Sequence, residues 1–196
     1  MEHYYSEQQK SLLNLKKIRQ KVKGQEFEFY TASGVFSKER IDKGTLILAE
    51  GMIIAKNQKV LDIGCGIGVL GIVASKLFNA DAVMSDINKR AVMLAKMNVK
   101  LNNTKAEIYQ GNLYEKIKDN NFDAVISNPP QTAGKELCFE LIEKSKKHLK
   151  HNGTLQLVAR HNKGGKTLSE KMKEVFGNVK VIARKSGYWV YLSVKV

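Results

Sequence analysis

The sequence predicts an α/β fold with a doubly wound, mostly parallel seven-stranded sheet, an antiparallel edge strand and a short N-terminal β-hairpin extension. Strand and helix patterns alternate from Lys59 onward, which is typical of parallel strands joined by crossover helices. A glycine-rich segment at residues 62–68 follows the first of these strands and leads into a helix. The last two apolar segments are separated only by Ser186-Gly187, and a turn this short joins antiparallel strands.

Residues 1–58 are predicted to form the N-terminal extension, and residues 59–196 the main α/β part of what is a single domain overall. Apolar and polar side chains alternate on both sides of Gly24-Gln25, which is the pattern of a β-hairpin with a two-residue loop packed on the core. In that register Lys23 faces Glu26 and Lys21 faces Glu28. We therefore interpret these two lysines as cross-strand partners of the glutamates rather than as contacts to an anionic partner.

We assign strands and helices in residues 59–196 from the spacing of apolar residues. Apolar residues alternate with polar ones in strands and recur every three to four residues in helices. The turn at 151–153 separates the third helix from the fifth strand. The predicted strands are 60–63, 82–85, a segment around Ile108, 122–127, 154–159 and two segments flanking Ser186-Gly187, and the predicted helices are 69–77, 90–101, 136–149 and 166–176. Parallel strands of this kind bind ligands at their carboxyl ends.

Size and composition indicate one globular domain in the cytoplasm. The chain has 196 residues, of which 43% are hydrophobic. It shows neither a predicted signal segment nor the run of about 20 apolar residues that a membrane span needs. Cys65 and Cys138 make no disulfide framework, and the four histidines lack the spacing of a metal site.

Charge points to a polyanionic partner. The formal net charge is +14, and residues 135–196 carry 14 basic and 5 acidic side chains. A second basic cluster occupies residues 16–23. Lysine and arginine neutralise phosphates and release their counterions, so this excess favours a nucleic acid.

The glycine-rich segment reads Asp62-Ile63-Gly64-Cys65-Gly66-Ile67-Gly68, and Asp86 ends the following strand. Glycines allow a tight turn and the close approach of a ligand, while Asp86 is placed to accept hydrogen bonds from two ribose hydroxyls. Residues 66–71 also satisfy the G-x-G-x-x-G pattern of NAD-binding enzymes, so this region alone leaves both cofactors open. Asp62 favours the cationic S-adenosylmethionine, because a carboxylate gives a pyrophosphate no stabilisation. We interpret Gly71 as a close-packing residue.

Ser127-Asn128-Pro129-Pro130 follows the fourth strand and contains both prolines of the chain. Proline restricts the residue before it to extended conformations, which holds Asn128 at the strand end facing the cleft. The Asn128 side-chain oxygen and the Pro129 carbonyl are then placed to accept both hydrogens of one amino group. Such acceptors stabilise an aromatic amine as it becomes tetrahedral and positively charged.

Together these motifs resemble the class I methyltransferase small domain family, and in particular the bacterial small-subunit ribosomal RNA guanine-N2 methyltransferases and their one-domain archaeal relatives. The resemblance extends over nearly the whole chain. It includes His3-Tyr4-Tyr5-Ser6 and residues 33–37, 42–45, 62–68, 85–88 and 128–135.

The resemblance implies roles for individual residues. The cofactor-binding set is Asp62, Gly64, Cys65, Gly66, Gly68, Asp86 at the ribose, Ile87 on the adenine and Asn112 at the adenine edge. The catalytic set is Asn128, Pro129 and Pro130. Phe36 and Gln131 are the substrate-binding candidates, although family members that stack an aromatic residue on the target base carry it where this chain has Gln131.

The resulting hypothesis is an S-adenosylmethionine-dependent, Rossmann-like N-methyltransferase that acts on guanine N2 in small-subunit ribosomal RNA, without a metal or a membrane. Adenine-N6 and protein glutamine methylation use the same Asn-Pro-Pro chemistry and remain alternatives. An NAD-dependent oxidoreductase and a non-catalytic RNA-binding module are the alternatives from other classes.

Overall fold

The computed structural model describes residues 12–36 and 39–196, so His3-Tyr4-Tyr5-Ser6 and Ser37 lie outside the described residues. The strands are β1 (Lys16–Val22), β2 (Gln25–Thr31), β3 (Lys59–Ile63), β4 (Asp81–Asp86), β5 (Ala106–Gln110), β6 (Phe122–Ser127), β7 (Leu149–Arg160), β8 (Lys180–Lys185) and β9 (Tyr188–Val194). The helices are α1 (Lys43–Gly51), α2 (Val69–Phe78), α3 (Lys89–Leu101), α4 (Lys135–His148) and α5 (Lys166–Phe176).

The predicted seven-stranded, mostly parallel sheet is confirmed, with the order β5-β4-β3-β6-β7-β9-β8. The antiparallel strand is β9, which pairs with β7 on one side and β8 on the other. The predicted antiparallel edge is therefore confirmed, with β8 as the edge strand and β9 one place in from it. Burial explains this order: β9 carries the buried Val190, Tyr191 and Leu192, whereas β8 is rich in charged and exposed residues, which suit an unpaired edge.

The β1–β2 hairpin forms as predicted, but its turn lies one residue earlier, at Lys23-Gly24. Both turn residues have positive φ, +47° and +83°, as the tight two-residue hairpin turn requires. The shift changes every cross-strand pair, so Lys21 lies opposite Glu26 and Arg19 opposite Glu28. The predicted pairs of Lys23 with Glu26 and of Lys21 with Glu28 are wrong.

The hairpin is attached to α3 by two asparagines. The Asn98 side chain accepts a hydrogen bond from the Tyr30 amide at 2.6 Å and donates to the Tyr30 carbonyl at 3.0 Å. Asn102 binds the Glu28 amide and carbonyl in the same manner, at 3.2 and 2.7 Å. Two buried amides therefore extend the hydrogen bonding of β2 onto the main domain. The domain boundary at residues 58 and 59 stays a prediction.

Two apolar layers enclose the sheet. The hairpin and α1 to α3 cover one face, and α4 and α5 cover the other. The sequence analysis assigned no element to residues 43–51, where α1 packs against α2, β7, β8 and β9. Among the described residues, no helix is long and apolar enough to cross a membrane.

Strand β7 begins at Leu149, directly after α4, and so contains the turn predicted at 151–153. Asn152 adopts a positive φ of +62°, and the pairing with β6 shifts register between Phe122 and Ala124. These residues form an irregularity inside the strand rather than a break. Gly153 is required there, because an added Cβ would lie 2.9 Å from the Lys150 carbonyl oxygen.

Candidate active site

The glycine-rich loop leaves the carboxyl end of β3 with its backbone folded tightly. Gly64, Gly66 and Gly68 all have positive φ, and an added Cβ at Gly64 or Gly66 would meet no atom within 4 Å. These two glycines therefore leave open space beside the backbone at the cavity wall. Gly68 instead caps α2 in the left-handed conformation and packs closely on Ala95 and Met84. The interpretation of Gly71 is confirmed, since its Cβ would lie 2.5 Å from the Met84 sulfur.

Asp86 joins two loops at the end of β4. One carboxylate oxygen accepts the Gly66 amide hydrogen at 2.7 Å, and the other accepts that of Asn88 at 2.8 Å. Burial raises the pKa of Asp86, and these two hydrogen bonds oppose the rise. Each oxygen keeps further acceptor capacity at the cavity wall, so the carboxylate is already oriented for two hydroxyl donors.

Asp62 lies beneath the loop rather than on the cavity surface. Its side chain is 1% exposed, and one oxygen accepts the Gly71 amide hydrogen at 3.0 Å. The other oxygen is buried without a hydrogen-bond partner among the described residues. Burial raises the pKa of Asp62 to about 7. The carboxylate thus anchors the start of α2 and retains one unsatisfied acceptor below the loop.

An apolar slot lies beside Asp86. Ile87, Ala91 and Leu113 line it, together with Phe36 and the end of the β5 loop at Asn112. The Phe36 segment is held there by α3: the Asn88 side chain donates to the Gly34 carbonyl at 2.9 Å, and Arg90 donates to the Ser33 carbonyl at 2.6 Å. The slot has the character that a flat aromatic ring needs, namely apolar walls with polar groups at one edge.

Asn128 is oriented by residues from the start of α1. Its amide nitrogen donates to an Asp42 carboxylate oxygen at 3.0 Å and to the Thr45 hydroxyl at 2.9 Å. A carboxylate only accepts hydrogen bonds, so the atom facing Asp42 must be the –NH₂ group. Both amide hydrogens are thereby used. The Asn128 Oδ1 accepts no hydrogen bond within the described part of the chain and is left as an acceptor at the cavity.

Pro129 and Pro130 continue the cavity wall. The Pro129 carbonyl accepts the Gln131 amide hydrogen at 2.9 Å, which leaves its second lone pair available. The side chain of Gln131 turns away from the cavity. It donates to the Lys163 carbonyl at 3.1 Å and lies 3.4 Å from the Arg160 amide.

The structure brings ten of the thirteen predicted site residues to one cavity. Three do not line it: Asp62 lies under the loop, Gly68 caps a helix and Gln131 binds the backbone after β7. Sequence analysis assigned no role to Asp42 and Thr45, which also line the cavity. Asp42 accepts the Thr45 amide hydrogen at 3.2 Å as the N-cap of α1, so a search for helix-start signals would have identified this pair.

The cavity has an acidic lining in a basic protein. Asp42 and Asp86 face it, and Asp62 lies behind its wall, whereas the whole chain carries a formal charge of +14. Burial raises the pKa of the Cys65 thiol well above its usual range, so this cysteine stays neutral. In the described ranges, no group of three or more acidic, histidine or cysteine side chains is arranged to hold a metal ion.

Comparison with known proteins identifies a family and several relatives. The methyltransferase small domain family matches residues 26–192. The Bacillus subtilis protein YbxB is 35% identical over 199 residues, covering 100% of this chain and 99% of the relative. A Haemophilus influenzae protein named ribosomal RNA small subunit methyltransferase C is 33% identical over 201 residues.

The chain covers only part of the relatives with that name. Its match spans 59% of the first Haemophilus influenzae protein and 50% of another. Among solved structures, the T. thermophilus 16S rRNA N2 guanine methyltransferase in complex with AdoMet and guanosine aligns with a TM-score of 0.82 at 21% identity. This alignment covers 95% of the present chain and 51% of that protein. At this identity the likeness supports the fold.

Proposed function

The chain belongs to the methyltransferase small domain family, and from this premise we propose that it transfers a methyl group from S-adenosylmethionine to an exocyclic amino group of a base in RNA. The observation that carries the proposal is the orientation of Asn128. Asp42 and Thr45 use both hydrogens of its amide, so its oxygen is presented to the cavity as an acceptor. An amino group is the substrate that matches an acceptor placed beside the Pro129 carbonyl.

The residues present fit the cofactor. Open space beside Gly64 and Gly66 leaves room for its aliphatic part, and Asp86 is oriented for the ribose hydroxyls. The slot at Ile87 fits the adenine, with Asn112 at its edge. The unpaired buried oxygen of Asp62 gives the adjacent wall a negative potential that favours a cation. When bound, S-adenosylmethionine supplies a methyl group activated by a positively charged sulfur.

The chain's own residues act mainly on the incoming amine. Its lone pair is delocalised into the base, so the nitrogen must become tetrahedral to attack, and it becomes positively charged as the new bond to the methyl carbon forms. Asn128 Oδ1 and the Pro129 oxygen accept its two hydrogens and stabilise that charge as it develops. Asp42 strengthens the first contact, because its negative charge polarises the Asn128 amide through the hydrogen bond at 3.0 Å. Pro129 and Pro130 restrict the backbone, which keeps both acceptors in position.

The charge distribution and the relatives' names support guanine N2 in small-subunit ribosomal RNA as the target. The basic excess of residues 135–196 is suited to a polyanion. Ribosomal RNA small subunit methyltransferase C is the name of several relatives, and an N2 guanine methyltransferase has the same fold. This substrate also supports the predicted cytoplasmic location.

Two alternatives keep the same chemistry at Asn128, namely adenine-N6 methylation and protein glutamine methylation. The charge of +14 favours RNA over a protein substrate. Family membership argues against the NAD-dependent oxidoreductase, and the oriented Asn128 argues against a non-catalytic RNA-binding module.

The test is methyl transfer from labelled S-adenosylmethionine to ribosomal RNA, transfer RNA, DNA and protein, followed by mass spectrometry of the digested product. We expect N2-methylguanosine from ribosomal RNA. Formation of N6-methyladenosine, or label only in protein, would overturn the substrate and leave the amino-methylation chemistry standing. Absence of transfer to all four, with the cofactor bound, would refute the proposed function.

A further inference from the structure

A second groove lies beside the candidate active site, between β1, α1 and β8. Its floor is closed by direct contact of α1 with β8, since an added Cβ at Gly51 would lie 2.8 Å from the Ala183 Cβ. Its rim carries Lys21, Lys43 and Lys185. The groove is therefore a concave surface with a small, apolar floor and a cationic rim, built from three separate parts of the sequence.

The three rim lysines are exposed and form no ion pair within residues 12–36 and 39–196. Glu50 is the acidic residue of the groove lining, and one of its oxygens accepts the Lys23 amide hydrogen at 2.9 Å. Elsewhere the hairpin pairs its cations, because Lys17 and Arg19 both bind Glu28 at 2.7 and 2.9 Å. Lys21 lies opposite Glu26 in the observed register, but the two side chains form no ion pair among the described residues.

Arg184 also belongs to the groove lining, but its side chain points to the opposite face of the sheet. Its guanidinium carbon lies 4.2 Å from the centroid of the Trp189 ring, and Trp189 packs in the apolar layer formed with α4 and α5. The preceding residue, Ala183, faces α1, so the two side chains alternate across β8. The cations that face the groove are therefore lysines.

The groove begins where the active-site cavity ends. Asp42 lines the cavity and orients Asn128, and the next residue, Lys43, lines the groove. Tyr188 connects the two on the other side, since an added Cβ at Gly44 would lie 2.9 Å from both an Asp42 oxygen and the Tyr188 ring. Lys185 ends β8, and the turn that follows it lies at the same end of the sheet as the carboxyl end of β7. The cavity and the groove are therefore adjacent at Asp42 and Lys43.

We propose that this groove binds the sugar–phosphate backbone of single-stranded RNA next to the base held at Asn128. Three lysines against one partly engaged acid are complementary to successive phosphates, and the apolar floor excludes neither sugar nor base. RNA recognition generally targets unpaired loops, in which the nucleotides next to a splayed-out base are flexible enough to follow the groove. The inference rests on the proposed function for the choice of RNA, and on the groove itself for where the RNA lies.

The test compares two triple variants with equal loss of charge. Lys21→Gln, Lys43→Gln and Lys185→Gln are combined in the groove. Lys96→Gln, Lys100→Gln and Lys105→Gln are combined as the matched control on α3 and the loop before β5, where all three lysines are exposed and unpaired among the described residues. Binding of a fluorescently labelled, short single-stranded oligoribonucleotide is measured by anisotropy over a range of salt concentrations. Melting temperatures establish that both variants are folded.

We expect the groove variant to bind the oligoribonucleotide at least about tenfold more weakly than the control variant. Its slope of log affinity against log salt should fall by ~2, because each lost single-strand phosphate contact removes ~0.7. Equal weakening in both variants would overturn the proposal, since the charge would then act without a defined site. A change of oligomeric state in the groove variant alone, with RNA affinity kept, would assign the groove to contacts between copies instead.

The outcome is separable from the proposed function. If the wild-type chain binds the oligoribonucleotide through the groove but transfers no methyl group, the groove stands and the proposed activity fails. If it methylates ribosomal RNA and the groove variant binds and reacts as the control does, the activity stands and the groove proposal fails.

Discussion

The two ends of the active-site cavity are built in different ways. At the proposed cofactor end, Asp86 holds the backbone of Gly66 and Asn88, which lie 20 and 2 residues away. At the amino-group end, Asn128 is oriented by Asp42 and Thr45, which lie 86 and 83 residues away. The first end is a local strand–loop–helix arrangement, whereas the second depends on how α1 packs on the sheet.

This difference separates the residues proposed to bind the cofactor from those that orient the Asn128 amide. Residues 64–68 and Asp86 shape their part of the cavity with backbone conformations and hydrogen bonds that belong to one β-α-β unit. Asn128 instead has a fixed backbone but an amide that α1 must orient. Substitutions at the first end should therefore lower the affinity for the cofactor, and substitutions at the second end should lower the rate of methyl transfer.

The largest effect is expected at Asn128. Asn128→Ala removes the oriented acceptor, and we expect kcat and kcat/KM for methyl transfer to fall about a hundredfold or more, as for loss of one preorganised transition-state contact. Affinity for S-adenosylmethionine, measured by calorimetry, should change less than about twofold. A variant that keeps more than about a third of the wild-type kcat would refute the role of Asn128 and remove the contrast between the two ends.

The opposite result is expected at Asp86. Asp86→Ala removes the proposed acceptor for the cofactor ribose and releases the Gly66 and Asn88 amides, so cofactor affinity should fall more than tenfold, or more than ~1.4 kcal/mol. The kcat at saturating cofactor should stay within a few-fold of wild type. Calorimetry provides the affinity and steady-state kinetics the rate. A loss under about twofold would show that Asp86 does not hold the cofactor.

An intermediate effect should follow from the residues that orient Asn128. Thr45→Val and Asp42→Ser each remove an acceptor from the Asn128 amide, while serine at position 42 can still cap α1. A hydrogen bond to a charged group contributes about 1.5 kcal/mol or more, so we expect kcat to fall about tenfold for Asp42→Ser and less for Thr45→Val. Thr45→Ser, which retains the hydroxyl, is the control and should stay near wild type. If Thr45→Ser lost as much kcat as Thr45→Val, the effect would come from packing instead of hydrogen bonding.

The smallest effect concerns pH and Asp62. Burial raises the pKa of Asp62 to about 7 from an ordinary value of 3.8, so between these values the folded chain binds more protons than the unfolded chain. Its contribution to stability is therefore lost as pH rises from about 4 to about 7. A cationic cofactor favours the ionised form, so cofactor affinity should rise several-fold from about pH 6 to about pH 8.

Asp62→Asn is the control for that pH dependence, because it removes the titration and keeps an acceptor for the Gly71 amide. In this variant both the melting temperature and the cofactor affinity should depend less on pH than in the wild-type chain. An unchanged pH dependence of both quantities would assign the titration to another group.

Most of the fold is predictable from the sequence because its elements are defined by local patterns. The spacing of apolar residues predicts a helix at 166–176 and a strand at 122–127, and α5 and β6 are observed at these residues. The errors arose where packing decides between local possibilities. Lys23 and Gln25 both flank Gly24, and only the burial of Val22 against Phe27 and Phe29 in the core selects the register. Packing also decides the order within the predicted antiparallel edge, where β9 takes the inner position because its side chains are more apolar than those of β8.

The glycine loop, Asp86 and Asn128-Pro129-Pro130 are predictable from local sequence. Glycine permits backbone conformations that other residues avoid, proline restricts the residue before it, and strand ends meet at one end of a parallel sheet. The basic character of the chain is equally a property of its composition. The three-dimensional fold, in contrast, sets which atom of Asn128 faces the cavity, that Asp62 lies under the loop, and which cations gather at the groove. Each of these depends on partners distant in sequence, and side-chain orientation and burial are set by the packing of separate elements, which no local pattern encodes.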